Sequence, residues 1–211
     1  MNDKKQAKNI ILQKISTYLI QYGFDKKIHG QSFWKPIVEG RAMVHLSFIN
    51  HENDFDITVS VSIRFDALEE LINADNALLK PKEKLMTSSI GVELGNLTEG
   101  RQKRWSIYDE SDVDPAVKSI CEITDDAAIP YIEKYKNIET TYEMMLRDDQ
   151  EIFTFAPLHH RRAMNAVGLA KLLGKDNIQE IGEAKRKFLS ERNDYGLGMF
   201  NKFLEKILTN N

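Results

Sequence analysis

Apolar residues at Ile11, Ile15, Tyr18 and Tyr22, widened by Leu12 and Leu19, recur with the 3.6-residue period of an amphipathic helix. The pattern predicts a helix from about Asp3 to Tyr22, with Gly23 placed to stop it. Phe24 restarts the core. After Gly30 an extended piece, Ser32 to Val38, carries Phe33, Trp34, Ile37 and Val38. Pro36 cannot donate to a ladder, so this piece belongs at a sheet edge. The clearest signal follows: Ala42, Val44, Leu46 and Phe48 alternate with polar neighbours, and so do Phe55, Ile57, Val59, Val61, Ile63 and Phe65. These are two strands, joined through turn residues Asn50 to Asn53 in a hairpin with a loop of about four residues.

Asp66 can cap a short helix through Leu71 and Ile72. A polar loop with Pro81 then leads to Ile90, Val92 and Leu94, which alternate with Gly91, Glu93 and Gly95 as a fourth strand. Trp105, Ile107 and Tyr108 form a shorter fifth. Beyond Asp112 the period changes from two to 3.6. Asp114 serves as cap and Pro115 as first helical residue, with Val117, Ile120, Cys121, Ile123 and Thr124 inward. Pro130 places a boundary or kink near Ala128 and Ile129. Further helices are expected over Ile138 to Arg147, Ala163 to Leu173, Ile178 to Leu189 and Leu197 to Leu208. The fold class is therefore α+β: an antiparallel sheet of about five strands packed against helices in residues 1–150, with a helical extension in 151–211 packed on it.

At 211 residues the chain can bury a sizeable core, and 42% hydrophobic with 29% charged residues places it among ordinary globular proteins. One cysteine, Cys121, excludes an internal disulfide. Met1 to Lys8 is polar, without the apolar stretch of a secretion signal, and no apolar run approaches the ~20 residues that cross a bilayer. A cytoplasmic protein without membrane partners is expected. A net charge of −3 leaves no electrostatic footprint for nucleic acid, although Arg101, Lys103 and Arg104, and Lys26, Lys27 and His29, form local clusters that read as solvated loop charge.

Candidate chemistry is sparse. His45 and His51 share strand parity but lie six residues apart; with Asp54 and Asp56 they match no metal-ligand spacing. His159, His160, Arg161 and Arg162 stand at the start of a helix, where the dipole disfavours positive charge. They can receive an anion, or be matched internally by the upstream stretch Arg147, Asp148, Asp149 and Glu151. Thr58, Ser60, Ser62 and Arg64 share the polar face of the second hairpin strand, beside His45 and Ser47, and either line a small-molecule or peptide site or face water. Cys121 lies on an apolar helical stripe and reads as an inert thiol. No nucleophile elbow, phosphate loop or dinucleotide fingerprint occurs, so no cofactor and no metal are expected.

Tyr22-Gly23-Phe24 with Lys26 and Lys27, Ser32-Phe33-Trp34, the long hairpin, Trp105 and Ala127-Ala128-Ile129-Pro130-Tyr131 resemble the bacterial domain-of-unknown-function family four-three-zero-four over roughly residues 5–147. The resemblance implies a single α+β domain and carries no established activity. Relatives of this style look like immunity proteins encoded beside toxins. The expected function is accordingly a non-enzymatic protein-binding one, in its concrete form an immunity-like protein that neutralises a cognate toxin. Acidic residues such as Asp109, Glu110, Asp112 and Asp114 would steer a basic partner, and also read as ordinary loop and helix-start residues. The alternative is a small-molecule-binding protein or enzyme that uses the polar sheet face or the His159–Arg162 cluster.

Overall fold

A computed structural model describes residues 4–25 and 27–209; the expected helix start at Asp3 and the basic residue Lys26 lie outside the described residues. In chain order the elements are α1 (Lys4–Leu19), β1 (Ser32–Ile37), β2 (Gly40–Asn50), β3 (Phe55–Phe65), α2 (Asp66–Asn73), α3 (Pro81–Lys84), β4 (Ile90–Glu93), α4 (Leu94–Thr98) and β5 (Trp105–Ile107). There follow α5 (Val113–Ile123), a π turn (Thr124–Ala128), α6 (Ile129–Tyr135), α7 (Ile138–Leu146), α8 (Gln150–Phe155), α9 (His159–Leu172), α10 (Ile178–Glu191) and α11 (Leu197–Thr209). The chain is α+β, with an antiparallel five-stranded sheet and a C-terminal helical part. It forms two compact units, one of Met1–Ile63 with Gly91–Lys134, the other of Arg64–Ile90 with Tyr135–Asn211.

The first unit holds nearly all of the sheet, in the order β1-β2-β3-β4 with β5 also beside β3. The backbone N–H of His51 donates to Asp54 O at 3.0 Å and closes the hairpin, whose loop has the expected length but lies one residue later, at 51–54, because Asn50 is still in β2. Among the described residues β1 has β2 as its one strand partner, from Ser32 opposite His45 to Ile37 opposite Gly40, so Pro36 sits on an edge strand as its missing N–H requires. α1 buries Ala7, Ile11, Ile15 and Leu19 on one stripe and packs against α5. Lys4 donates to the His51 and Glu52 carbonyls, and Lys8 stands over the Phe48 and Phe55 rings, which pins the helix to the hairpin. Gly23, at φ 81°, ends the helical run in the left-handed conformation that only glycine adopts freely.

Local readings change in places. The fourth strand ends at Glu93 and Leu94 begins a helix, because residues 101–103 fold back on it: a Cβ on Gly95 would lie 2.4 Å from both Arg101 O and Lys103 N. Asp114 does not cap α5. The helix starts at Val113 after a 3₁₀ turn whose cap is Asp109, accepting from the Ser111 N–H at 2.8 Å. The boundary expected near Ala128 and Ile129 is there, as the junction between the π turn and α6, with Pro130 in the first turn of α6. The chain widens into the π turn, where the Ile129 N–H reaches back five residues to Thr124 O, just before Pro130, which has no N–H to donate.

In the second unit α9 is the central element, packed on by α2, α7, α10 and α11. Every residue from Arg162 to Ala170 is buried, which is why its apolar periodicity is faint in the sequence. Small residues set the close approaches: Leu68 of α2 lies against Gly168, and Leu204 of α11 against Gly182 of α10. α8 was not expected; Asp149 caps it by accepting from the Glu151 and Ile152 N–H groups. Among the described residues no helix is long and apolar enough to cross a membrane.

Candidate functional site

The first turn of α9 carries His159, His160, Arg161 and Arg162, and successive helical positions diverge by about 100°. The four side chains therefore reach different partners. Arg162, 1% exposed, donates to Asp148 Oδ1 at 2.9 Å, to Ala156 O at 2.8 Å and to His159 Nδ1 at 3.2 Å, with its guanidinium 4.8 and 5.6 Å from the Phe153 and Phe188 ring centres. Burial, and then the Arg162 charge, hold the His159 pKa below its ordinary value, so its neutral ring accepts that bond. Asp148 also takes Lys185 Nζ at 2.8 Å. Of the upstream charges only Asp148 answers the cluster, because Arg147 is held by Asp149 and Glu151 at 2.7 and 2.5 Å.

Arg161 turns toward α2. Its Nη2 donates to Glu69 Oε1 at 2.6 Å and its Nη1 reaches Asn73 Oδ1 at 3.5 Å. Glu69 is fully buried and also accepts from Ser89 Oγ at 2.9 Å and Asn73 Nδ2 at 3.1 Å, with Arg64 Nη1 3.8 Å away. The geometry is two facing i, i+4 pairs: Glu69 and Asn73 on α2, Arg161 and Asn165 on α9. Asn165 donates to Ser89 O at 2.7 Å. Glu69 was missed because a glutamate on a short helix reads as a surface residue. The available signal was its place beside Leu68 and Ile72, which puts Glu69 and Asn73 on the same inward flank.

The polar strand face is not a water-facing surface. Thr58, Ser62 and Arg64 are buried and Ser60 is half-buried. Arg64 is committed to Asp66 at 2.6 Å, Lys84 O at 2.9 Å and Thr87 at 2.7 Å, so it clamps the segment after α3 to the end of β3. His45 lies 2.8 Å from Ser32, whereas His51 bonds Asp56 at 3.2 Å; they do not converge. Among the described residues no three His, Cys, Asp or Glu side chains are arranged to hold a metal. Burial, then Asp125, push the Cys121 thiol up to about 11, which keeps it protonated.

A cavity of about 480 Å³ opens in the second unit. Its walls include Leu71, Ile72, Met164 and Phe203, and its polar end is Asn73, Thr87 and Arg161. α11 contributes Met199, Lys202, Phe203 and Lys206, an i, i+3, i+4, i+7 stripe. Leu78 (88% exposed), Leu158 and Met199 stand around the rim. His160 lines the cavity too; its Nδ1 donates to Asp194 Oδ1 at 3.1 Å, and its Nε2 takes part in no hydrogen bond among the described residues. Of His159 to Arg162 and the strand residues Thr58, Ser60, Ser62 and Arg64, the cavity gathers His160 and Arg161 only.

Gly196 lies directly on the His160 ring: an added Cβ would stand 2.1 Å from its Cγ, while the Gly196 N–H donates to the same Asp194 oxygen at 2.7 Å. Gly196→Ala is expected to displace the imidazole and lower stability by about 1–3 kcal/mol, measured by urea denaturation followed in the far ultraviolet.

No family model, curated protein or solved structure matches this chain.

Proposed function

We propose that the chain is a binding protein for a small ligand, and that the second-unit cavity is its site. The observation that carries this reading is the cavity itself: at about 480 Å³ it falls in the size range of small-molecule sites, and it combines apolar walls with a group of polar side chains, Asn73, Thr87 and Arg161, and with charged side chains from α11. The commitments of the candidate catalytic groups favour binding over catalysis. Arg162, Arg64 and Glu69 are engaged in internal pairs, and the free nitrogen of His160 has no hydroxyl or thiol bonded to it that would make a nucleophile and base.

The test is a thermal-shift screen of metabolites on the full chain and on Met199→Trp, which fills the cavity from its exposed rim. Ligands are expected to raise the melting temperature of the wild type and not of the variant. Equal shifts in both, or none in either, would sink the reading.

One observation favours a second reading, a protein partner of the immunity-like kind. Three large apolar side chains, Leu78, Leu158 and Met199, are exposed around one opening, and a partner's apolar side chain seated there would cover all three. On that reading Met199→Glu abolishes stoichiometric retention of the partner, and small molecules leave the melting temperature unchanged.

A further inference from the structure

The small-ligand reading leaves the ligand's chemistry open, and the charges around the cavity narrow it. Resting on that reading, we infer that the ligand is a single-chain amphiphile ending in a carboxylate. The Arg161 guanidinium spends Nη2 on Glu69, while Nη1 makes only a long contact with Asn73 and the Nε–H makes no hydrogen bond among the described residues. These remaining donors belong to a side chain that lines the cavity, so an acceptor placed there meets a charged planar fork. Lys202 is exposed on the rim and takes part in no ion pair among the described residues. Lys206 is held by Asp75 at 2.5 Å. Three cations, Arg161, Lys202 and Lys206, thus stand against two carboxylates, Glu69 and Asp75, and one anionic head group balances the site.

The rest of the lining requires an apolar tail. Leu71, Met164 and Phe203 present hydrocarbon with no polar atom to bond, and Leu78 and Met199 at the rim are exposed until something covers them. A short polar anion would leave this surface in water, and a neutral hydrocarbon would leave the Arg161 donors unanswered. An alkyl chain carrying a carboxylate satisfies both ends.

Calorimetric titration of the full chain with decanoate, below its micelle concentration, and with decanol as the neutral control tests the inference. Decanoate is expected to bind one to one and about tenfold or more tighter than decanol. Each methylene added from octanoate to decanoate should tighten Kd about fourfold. Lys202→Glu should weaken decanoate about three- to tenfold and leave decanol unchanged, whereas Asp75→Asn, which releases Lys206, should tighten it. Both substitutions lie at exposed positions, so loss of fold does not confound them. Met199→Trp should abolish binding of either compound. Decanol binding as tightly as decanoate, or decanoate binding unchanged in Lys202→Glu, would overturn the carboxylate head while leaving the cavity as the site. Decanoate binding that persists in Met199→Trp would overturn both readings. No decanoate binding, with metabolites still shifting the wild type and not Met199→Trp, would overturn the amphiphile alone.

Discussion

Arg162→Met is expected to destabilise the second unit by about 3–5 kcal/mol, because it removes one partner from a buried ion pair and leaves several groups unanswered. The Ala156 carbonyl loses its donor, Asp148 loses two hydrogen bonds, and the Phe153 and Phe188 rings lose the cation packed between them. Both tryptophans, Trp34 and Trp105, lie in the first unit, so a signal from the second unit's own helices is the direct readout. Far-ultraviolet circular dichroism supplies it, and its thermal transition should fall. Retention of the wild-type transition would show that the network contributes little.

Lys185 shares Asp148 with Arg162, yet the opposite outcome is expected for Lys185→Met. Two buried cations compete for one carboxylate, and burial depresses the Lys185 pKa below the ordinary lysine value. Its folded pKa being the lower, the unfolded chain binds the proton more readily, and stability rises as pH climbs from the folded pKa toward the ordinary one. Burial works against the charged ammonium, and its bonds to Asp148 and to Leu146 O at 2.9 Å offset that cost. Removing it leaves Arg162 and Asp148 as a matched pair, so Lys185→Met should stay within about 1 kcal/mol of the wild type and lose the alkaline rise in stability.

Local pattern sufficed where contacts are local. The hairpin was legible because the alternation runs from Ala42 to Phe48 in β2 and from Phe55 to Phe65 in β3, and the edge position of β1 followed from Pro36 alone. The turn of the chain at Leu94 was not legible, since Leu94 and Gly95 continue the alternation and only the approach of residues 101–103, with Glu93 accepting from the Lys103 N–H, dictates otherwise. The grouping of α2 with α9 was hidden for the same reason: Leu68 against Gly168 and Glu69 against Arg161 are contacts across some ninety residues or more of chain. The His159–Arg162 run was visible as four neighbouring cations, but a helix fans neighbours apart, so adjacency in sequence did not mean a shared site. Arg161 reached the cavity because of what it meets on α2.

Glu69→Gln puts stability and binding in opposition. The substitution keeps the shape of the buried side chain and removes its charge, so Arg161 loses its 2.6 Å ionic partner, and Ser89 Oγ and Asn73 Nδ2 donate to a weaker acceptor or meet an amide donor. A loss of about 3–5 kcal/mol is expected, read as a lowered denaturation midpoint in the far ultraviolet. Replacing the pair together, Glu69→Leu with Arg161→Met, should recover more than half of it, since Arg161 is then no longer left facing an absent carboxylate, although the buried Arg64 guanidinium still loses its contact at 3.8 Å. Binding should move the other way in the single variant. Freed of Glu69, the Arg161 Nη2 joins the donors that line the cavity, and the site carries one more uncompensated positive charge, so decanoate should bind several-fold tighter to the folded fraction of Glu69→Gln than to the wild type. Weaker or unchanged binding would mean that Arg161 is a structural strut and takes no part in holding the ligand.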